Sequence, residues 1–340
     1  MWQQSNRNSK SLSTTSPPRR TTIPVLRYLF TAWLAITLTF IALRLIPGDA
    51  IEIQLRQTAT SRDQITAQQA RFNLDDPVHI QYLDYLRDLM RGDFGRSLIS
   101  HESVFTMIKD RTAPTLILAL TSLLTAVCFG LTLGMMASLD ALPDSKTGGI
   151  PQTTALMSLT GSSIITLSLA APVYWTATLA IYFSTRYFIG LNLPAGGTQG
   201  FRSLILPTLV LGFGICGGIA RITETALRES LKQPFIQTAQ AKGLSRLRLF
   251  EHALRASLLP ILSIIALQAG FLLSGTVIIE IIFTRRGIGS LLHQAVLDQD
   301  YPVVQALVLL AALIYTLTRA AARFLEPYAD PRIRNREPGR

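Results

Sequence analysis

Charged and reactive side chains are scarce in this sequence. Only 16% of its 340 residues are Asp, Glu, Lys or Arg, against roughly 25% in an average soluble domain. There are two cysteines, Cys128 and Cys216, far apart in the chain and both within apolar runs. That spacing excludes a disulfide framework and a zinc knuckle, and it predicts buried structural thiols. The four histidines, His79, His101, His252 and His293, are scattered without metal-ligand spacing, so no metal site and no Ser-His-Asp grouping is expected. No GxxxxGK[ST] occurs, so the chain cannot by itself hold ATP through a P-loop. "GFGICG" at 212–217 matches GxGxxG but lies inside an apolar run with no strand before it, which removes a dinucleotide site. "DFG" at 93–95 stands without any other kinase element. Apart from Glu280, near the end of one apolar run, the runs hold no carboxylate, which argues against a proton-relay transporter. No catalytic residue is expected.

What the chain has in abundance is apolar length. Hydrophobic residues make up 49% of it, concentrated in runs of about 20 residues, enough to cross a bilayer. These runs are 28–46, 113–139, 204–220, 258–283 and 303–318. Region 151–190 is about twice one span in length and is divided by "LAAPVYW" near Pro172. It crosses either once or twice. Charge arbitrates, because cytoplasmic loops carry excess Lys and Arg. Residues 1–27 hold five basic residues and no acidic one. Loop 221–257 holds seven basic and three acidic, and residues 319–340 hold six and three. Loop 47–110 holds seven basic and ten acidic. The three positive segments share one side only if 151–190 crosses once. The expectation is an all-α integral membrane protein with six spans and both termini cytoplasmic. The net charge of +11 is then carried by the inner segments, and nucleic acid is not needed as a partner to explain it.

This divides the chain into a disordered cytoplasmic tail (1–26), a first span (27–46), a periplasmic loop (47–110), a transmembrane permease region (111–322) and a cytoplasmic tail (323–340). In loop 47–110, "DDPVHIQYLDYLRDLMRGDFG" predicts an amphipathic helix with Ile80, Leu83, Leu86 and Leu89 or Met90 as its apolar stripe, ended by Gly92. Gly130 and Gly134, and again Gly214 and Gly218, make GxxxG pairs that let helix backbones approach. Packing inside the chain is the expectation, and dimerisation the alternative. Arg44 and Arg186 lie near span ends and are expected to snorkel.

Loop 221–257 carries the most information. Pro234 suits the first turn of a helix and Gly243 its C-terminal cap, predicting a short helix over 234–242. A second helix is expected from about Arg246 to Leu258, with Leu247, Phe250, Leu254 and Leu258 on one face. Pro260 marks the start of the next span. Glu224, Arg228 and Lys232, four apart, predict an exposed helix before Pro234. A rigid helical hairpin with a small tip at Ala239 and Gly243 suits insertion into a cleft on a partner; a helix pair held on anionic lipid is the other reading.

The stretch "TAQAKGLSRLRLFEHALRASLLP" resembles the "EAA" loop of ABC importer permeases. More narrowly, the chain resembles the first of the two permeases of the dipeptide/oligopeptide/nickel family. The resemblance rests on "RLIPGDA", "LDDPVHIQYLDYLRDLMRGDFGRSL", "RASLLP", "GIGSLLHQAVLDQDYPVVQALVLL" and "ADPRIR", in that order, over roughly residues 27–335. It implies a type I ABC importer transmembrane domain, multi-pass in a bacterial inner membrane, that forms half of a translocation pathway. The other half would come from a second permease subunit, as a heterodimer. Two cytoplasmic ATPases would bind the ATP and Mg, this chain holding no cofactor. A periplasmic or lipid-anchored solute-binding protein would deliver the solute.

The resemblance also makes the loop the ATPase-coupling element. It carries that role to Ala239, Lys242, Gly243, Leu244 and Pro260, with Gln237 and Thr238 where Glu and Ala are usual. Arg285-Arg286 replaces the usual Trp-Pro before "GIG". Glu280, near the outer end of the fifth span where an acidic residue is common, is expected either to face the pathway or to pair with Arg285. The rival class is a secondary transporter or channel working without ATPases, which symmetric broken half-helices would favour. No internal repeat of that kind is evident.

Overall fold

Apolar runs in lipid must satisfy their own backbone groups, and a helix does so within one segment. The computed structural model describes residues 22–45, 77–142, 152–187, 194, 196–197 and 200–329. Among them the chain is all-α: α1 Thr22–Leu45, α2 Val78–Met90, α3 Val104–Ala137, α4 Gln152–Ala170, α5 Val173–Tyr187, α6 Arg202–Leu231, α7 Pro234–Ala241, α8 Arg246–Ile282, α9 Ile288–Leu297 and α10 Tyr301–Ala329. Four of these, α3, α4, α6 and α8, are long and apolar enough to cross a membrane; the apolar parts of α1 and α10, Phe30–Leu45 and Tyr301–Thr316, are shorter. Most of the expected N-terminal tail (residues 1–21), much of the outer loop (46–76) and residues 330–340 lie outside the described residues.

Within region 151–190, residues 152–187 form two helices that meet at Ala171-Pro172, where proline supplies no N–H to continue the ladder. Its 19-residue first helix, α4, is one of the four long ones, while α5 has 15 residues.

Helices α3 and α6 form the centre, and small residues let them touch. A Cβ at Gly134 would lie 2.6 Å from the Ala220 carbonyl oxygen and 2.6 Å from Thr223 Cβ, and one at Gly130 would lie 2.8 Å from Ile219 Cβ. The first GxxxG is therefore consumed inside the chain. The second is as well: Gly214 faces Val173 and Gly218 faces the Gln268 amide. Cys216 is buried against α4, where Ser168 Oγ donates to Phe213 O at 2.5 Å. Cys128 departs from expectation: it is exposed, on the face of α3 turned away from α6.

Three other expectations are corrected. Helix α6 continues for 30 residues to Leu231, so Glu224 and Arg228 belong to its end and Glu224 is buried rather than on an exposed helix. Helix α8 runs unbroken through Pro260. It dispenses with one ladder bond there, which a membrane helix tolerates. The amphipathic helix forms as α2, and the side it turns toward α1 carries polar and aromatic partners, which corrects the reading of Arg44. Tyr82 Oη lies 2.7 Å from Thr37 Oγ1, Gln81 accepts from Arg44 Nη2 at 2.5 Å, and the Phe40 ring packs on Tyr82 and Tyr85. Ile80, Leu83 and Met90 stay exposed. Arg44 is thus held by Gln81 and stacked 3.4 Å over the Phe40 ring centroid rather than snorkelling freely.

At the end of the bundle away from α7, the buried Asp300 ties the segment before α3 to the start of α10. Ser97 Oγ donates to Asp300 Oδ2 at 2.5 Å and Leu98 N to Oδ1 at 3.1 Å. Burial pushes the Asp300 carboxyl above the ordinary carboxylate range, and donors from Ser97, Leu98 and Val303 pull it partway back. The folded chain therefore holds this proton more tightly than the unfolded chain. The stability that follows is present at low pH and is lost as pH rises through the raised value. Asp300→Asn, which cannot ionise, is expected to gain in Tm relative to the wild type as pH rises above the ordinary Asp value of about 4; a difference that stays flat with pH would contradict this. Asp300→Ala is expected to cost about 1–3 kcal/mol, because Ser97 and Leu98 lose their acceptor.

Candidate functional site

The hairpin expected from loop 221–257 is built from three segments: the end of α6, the whole of α7 and the first turns of α8. Pro234 sits at the start of α7, where its missing N–H costs nothing. The far end closes as a Schellman motif. Gly243 N donates to Gln240 O at 2.9 Å, Leu244 N donates to Ala239 O at 3.2 Å, and Gly243 takes φ +79°. The motif turns Leu244 and Ala239 back onto a small core of Leu227, Leu231, Ile236, Leu249 and Ala253. The hairpin is therefore a rigid body with its own apolar centre, fused to α6 and α8 by continuous helix.

The surface this leaves at the tip is small and uncluttered. Gln237, Thr238, Lys242 and Gly243 are exposed and Ala239 half-buried. Nothing lies within 4 Å of a Cβ built at Gly243. Phe235 adds an exposed aromatic ring, and the Lys242 ammonium suits the negative end of α7. The structure thus brings Gln237, Thr238, Ala239, Lys242, Gly243 and Leu244 together. Pro260 is separate, since it lies 14 residues beyond Arg246 on α8, about 21 Å along the axis.

Sequence reasoning missed how the hairpin is joined to the rest of the bundle. Its core also touches Met135 at the end of α3 and Ala141 and Leu142 in the turn that follows. Beside it Arg228 pairs with Asp140 at 2.8 Å and Glu224 at 3.2 Å, and donates to Ala137 O at 2.5 Å. Glu224 in turn pairs with Arg221 at 3.1 Å and accepts from Ser162 of α4 at 3.4 Å. The i,i+4 spacing of Glu224 and Arg228 was a signal for the first pair; Asp140, far off in sequence, gave none.

At the opposite end, Glu280 is buried and fully engaged. Helix α9 begins at Gly287, which has no side-chain oxygen to cap it. Glu280 supplies the missing acceptor from the preceding helix, taking Gly289 N at 2.8 Å and Ser290 N at 3.1 Å on Oε2, and the Thr115 hydroxyl at 2.6 Å on Oε1. Thr115 Oγ1 accepts Ile288 N at 2.8 Å, and Ser290 Oγ accepts Gly287 N at 2.9 Å. The first N–H groups of the helix are thereby satisfied, and a carboxylate at the positive helix end is favourable. Gly287 has ordinary extended backbone; it is glycine because a Cβ would strike the Glu280 carboxyl. The expected pairing with Arg285 is also revised: Arg285 Nη1 donates to Ser203 O at 3.0 Å and Gly197 O at 3.2 Å. Glu280→Ala is expected to cost about 2–4 kcal/mol, since several buried donors lose their acceptor at once; thermal unfolding in detergent reads it, and a loss under about 1 kcal/mol would refute the capping role.

Comparison with known proteins places this architecture. Over 88% of its length the chain is 35% identical to the di/tripeptide transport system permease protein DppB of Pseudomonas aeruginosa (strain UCBPP-PA14), covering 93% of that protein. Over 87% of its length it is 31% identical to the glutathione transport system permease protein GsiC of Salmonella typhi, covering 92% of it. A chain from an inward-facing structure of the MetNI methionine ABC transporter superposes with a TM-score of 0.52 at 20% identity, over 66% of this chain and 96% of that one. The fold is that of a type I ABC importer transmembrane domain. With residues 156–335 matching its description, the chain belongs to the family of binding-protein-dependent transport system inner membrane components.

Proposed function

We propose that this chain is the permease subunit of an ATP-driven importer of peptides or a similar small solute, and forms half of its translocation pathway. It crosses the inner membrane six times with both termini in the cytoplasm. A second, related permease completes the pathway. Two cytoplasmic ATPases hold ATP and Mg and hydrolyse the nucleotide, while a periplasmic or lipid-anchored binding protein brings the solute. This chain binds no cofactor and makes no covalent chemistry.

The observation that carries the reading is the cytoplasmic hairpin. Its small tip of Gln237, Thr238, Ala239, Lys242 and Gly243 lies on α7 and the turn after it, and is packed through Ile236 and Leu244 against the end of α6 and the start of α8, each of which runs on into the bundle as one helix. A partner that grips the tip therefore moves whole helices rather than a flexible loop. ATP-driven closure of the ATPases shifts the bundle toward the outward-open state, and release after hydrolysis resets it. Peptide cargo is supported by relatives named as di/tripeptide, dipeptide and glutathione permeases. The test is a mild-detergent pull-down of the tagged chain from its native membrane, with a Ser245→Cys variant for crosslinking. A P-loop ATPase and a second permease of similar length are expected to co-purify. A chain that comes down alone even after crosslinking would favour a transporter that works without ATPases.

A further inference from the structure

The bundle end opposite the hairpin holds a cavity of about 350 Å³ lined by Glu102, Met107, Asp110, Arg111, Pro114 and Arg286. Two carboxylates and two guanidiniums face one space. Among the described residues, none of these four charged heads closes an ion pair or hydrogen bond on a neighbour. Glu102, Asp110 and Arg286 are exposed and Arg111 is half-buried, so the four heads are accessible and suited to a ligand that brings its own opposite charges.

The walls are held by buried contacts. Arg286 sits between two fixed neighbours: Arg285, buried and bound to the Gly197 and Ser203 carbonyls, and Gly287, pressed against Glu280. Thr115 joins the α3 wall to the same carboxylate, since it donates to Glu280 and accepts Ile288 N, while its hydroxyl also reaches Arg111 O at 3.3 Å. The Glu102 wall is anchored because Ser97 N donates to Glu102 O at 3.0 Å, and Ser97 is itself bound to Asp300. Glu280 and Asp300, neither of which lines the cavity, thus fix where its charges stand.

We infer that this cavity is an outer subsite for a short zwitterionic solute: Glu102 and Asp110 take the free amino terminus of a di- or tripeptide, and Arg111 and Arg286 take its carboxylate. The size agrees, being at the low end of small-ligand pockets at about 300–1,000 Å³, and two extended residues span only about 7 Å. The inference rests on the importer reading above and adds to it the chemistry by which this chain itself recognises the cargo.

The experiment uses the assembled importer, with its second permease, ATPases and binding protein, in proteoliposomes. Uptake of a defined dipeptide pool is quantified by mass spectrometry while the binding protein is titrated. Arg286→Gln and Asp110→Asn are each expected to lower maximal uptake about tenfold, the effect of losing one charge-assisted bond. The binding-protein concentration giving half-maximal ATPase stimulation should stay within about twofold in the same variants. Variants that keep wild-type maximal uptake overturn the subsite. So does a matched rise in the half-maximal binding-protein concentration, which would make the charges a docking surface. If the wild-type complex takes up no dipeptide with ATP, the importer reading fails as well, and that outcome is visible without any variant.

Discussion

Gly134→Leu is expected to prevent the chain from reaching its native packing. The α3–α6 contact is the centre of the bundle, and at Gly134 the two backbones approach closely enough that even a methyl group has nowhere to go. Its carbon would lie 2.6 Å from both the Ala220 carbonyl oxygen and Thr223 Cβ. The first obstacle is backbone and cannot swing aside. The second is the stem of a buried threonine whose hydroxyl donates to Ile219 O at 2.8 Å. Overpacking by a small group costs about 1–3 kcal/mol. A leucine would also force α3 off Cys216, Ile219 and Ala220 of α6, and should consume much of a total stability of about 5–15 kcal/mol. The measurement is the fraction of detergent-extracted chain eluting as a single species, together with its Tm. The contrast is Gly218→Ala. There the new carbon meets the tip of the Gln268 side chain, which can rotate away, so little loss is expected. Equal damage from both changes would show that close helix approach is not what the 130–134 glycines provide.

Gly243→Trp should abolish uptake while leaving the chain inserted and folded. At φ +79° a residue with a Cβ costs roughly 1–2 kcal/mol, too little to unfold the hairpin. Nothing lies within 4 Å of the new carbon, so no internal clash is added. The indole instead projects from the small tip, into the space where the proposed ATPase cleft would close on Thr238 and Ala239. Association with the ATPase and transport are expected to fall together, with membrane insertion unchanged. Gly243→Ala separates the two causes. It carries the backbone cost without the bulk, and should keep most of the association. Uptake that survives the tryptophan would remove the coupling role from this hairpin.

Much of the helix plan was legible without coordinates. The apolar runs become α1, α3, α4, α6, α8 and α10 because length and composition of a segment are local properties. The hairpin was legible for the same reason: proline at a helix start and glycine at a helix end act within one turn. Pro260 was misleading, because its effect on a helix depends on whether lipid and neighbouring helices hold the segment together. The inward face of α2 was not legible, since Tyr82 and Gln81 meet Thr37 and Arg44, which lie far back in the chain.

The sequence by itself determined that the chain is helical, that it is built for a membrane and where along the chain its hairpin lies. Hydropathy runs, charge asymmetry and capping residues each act over a few neighbours. Only the tertiary structure decided that Gly130 and Gly134 serve α6 rather than a second copy, and that Glu224 is buried beside Arg228 and Asp140. It also decided that Glu280 caps a helix seven residues ahead of it rather than facing open space. Each of those outcomes is a choice of partner across the bundle, and a partner's identity is set by which helices pack together, which no short stretch of sequence contains.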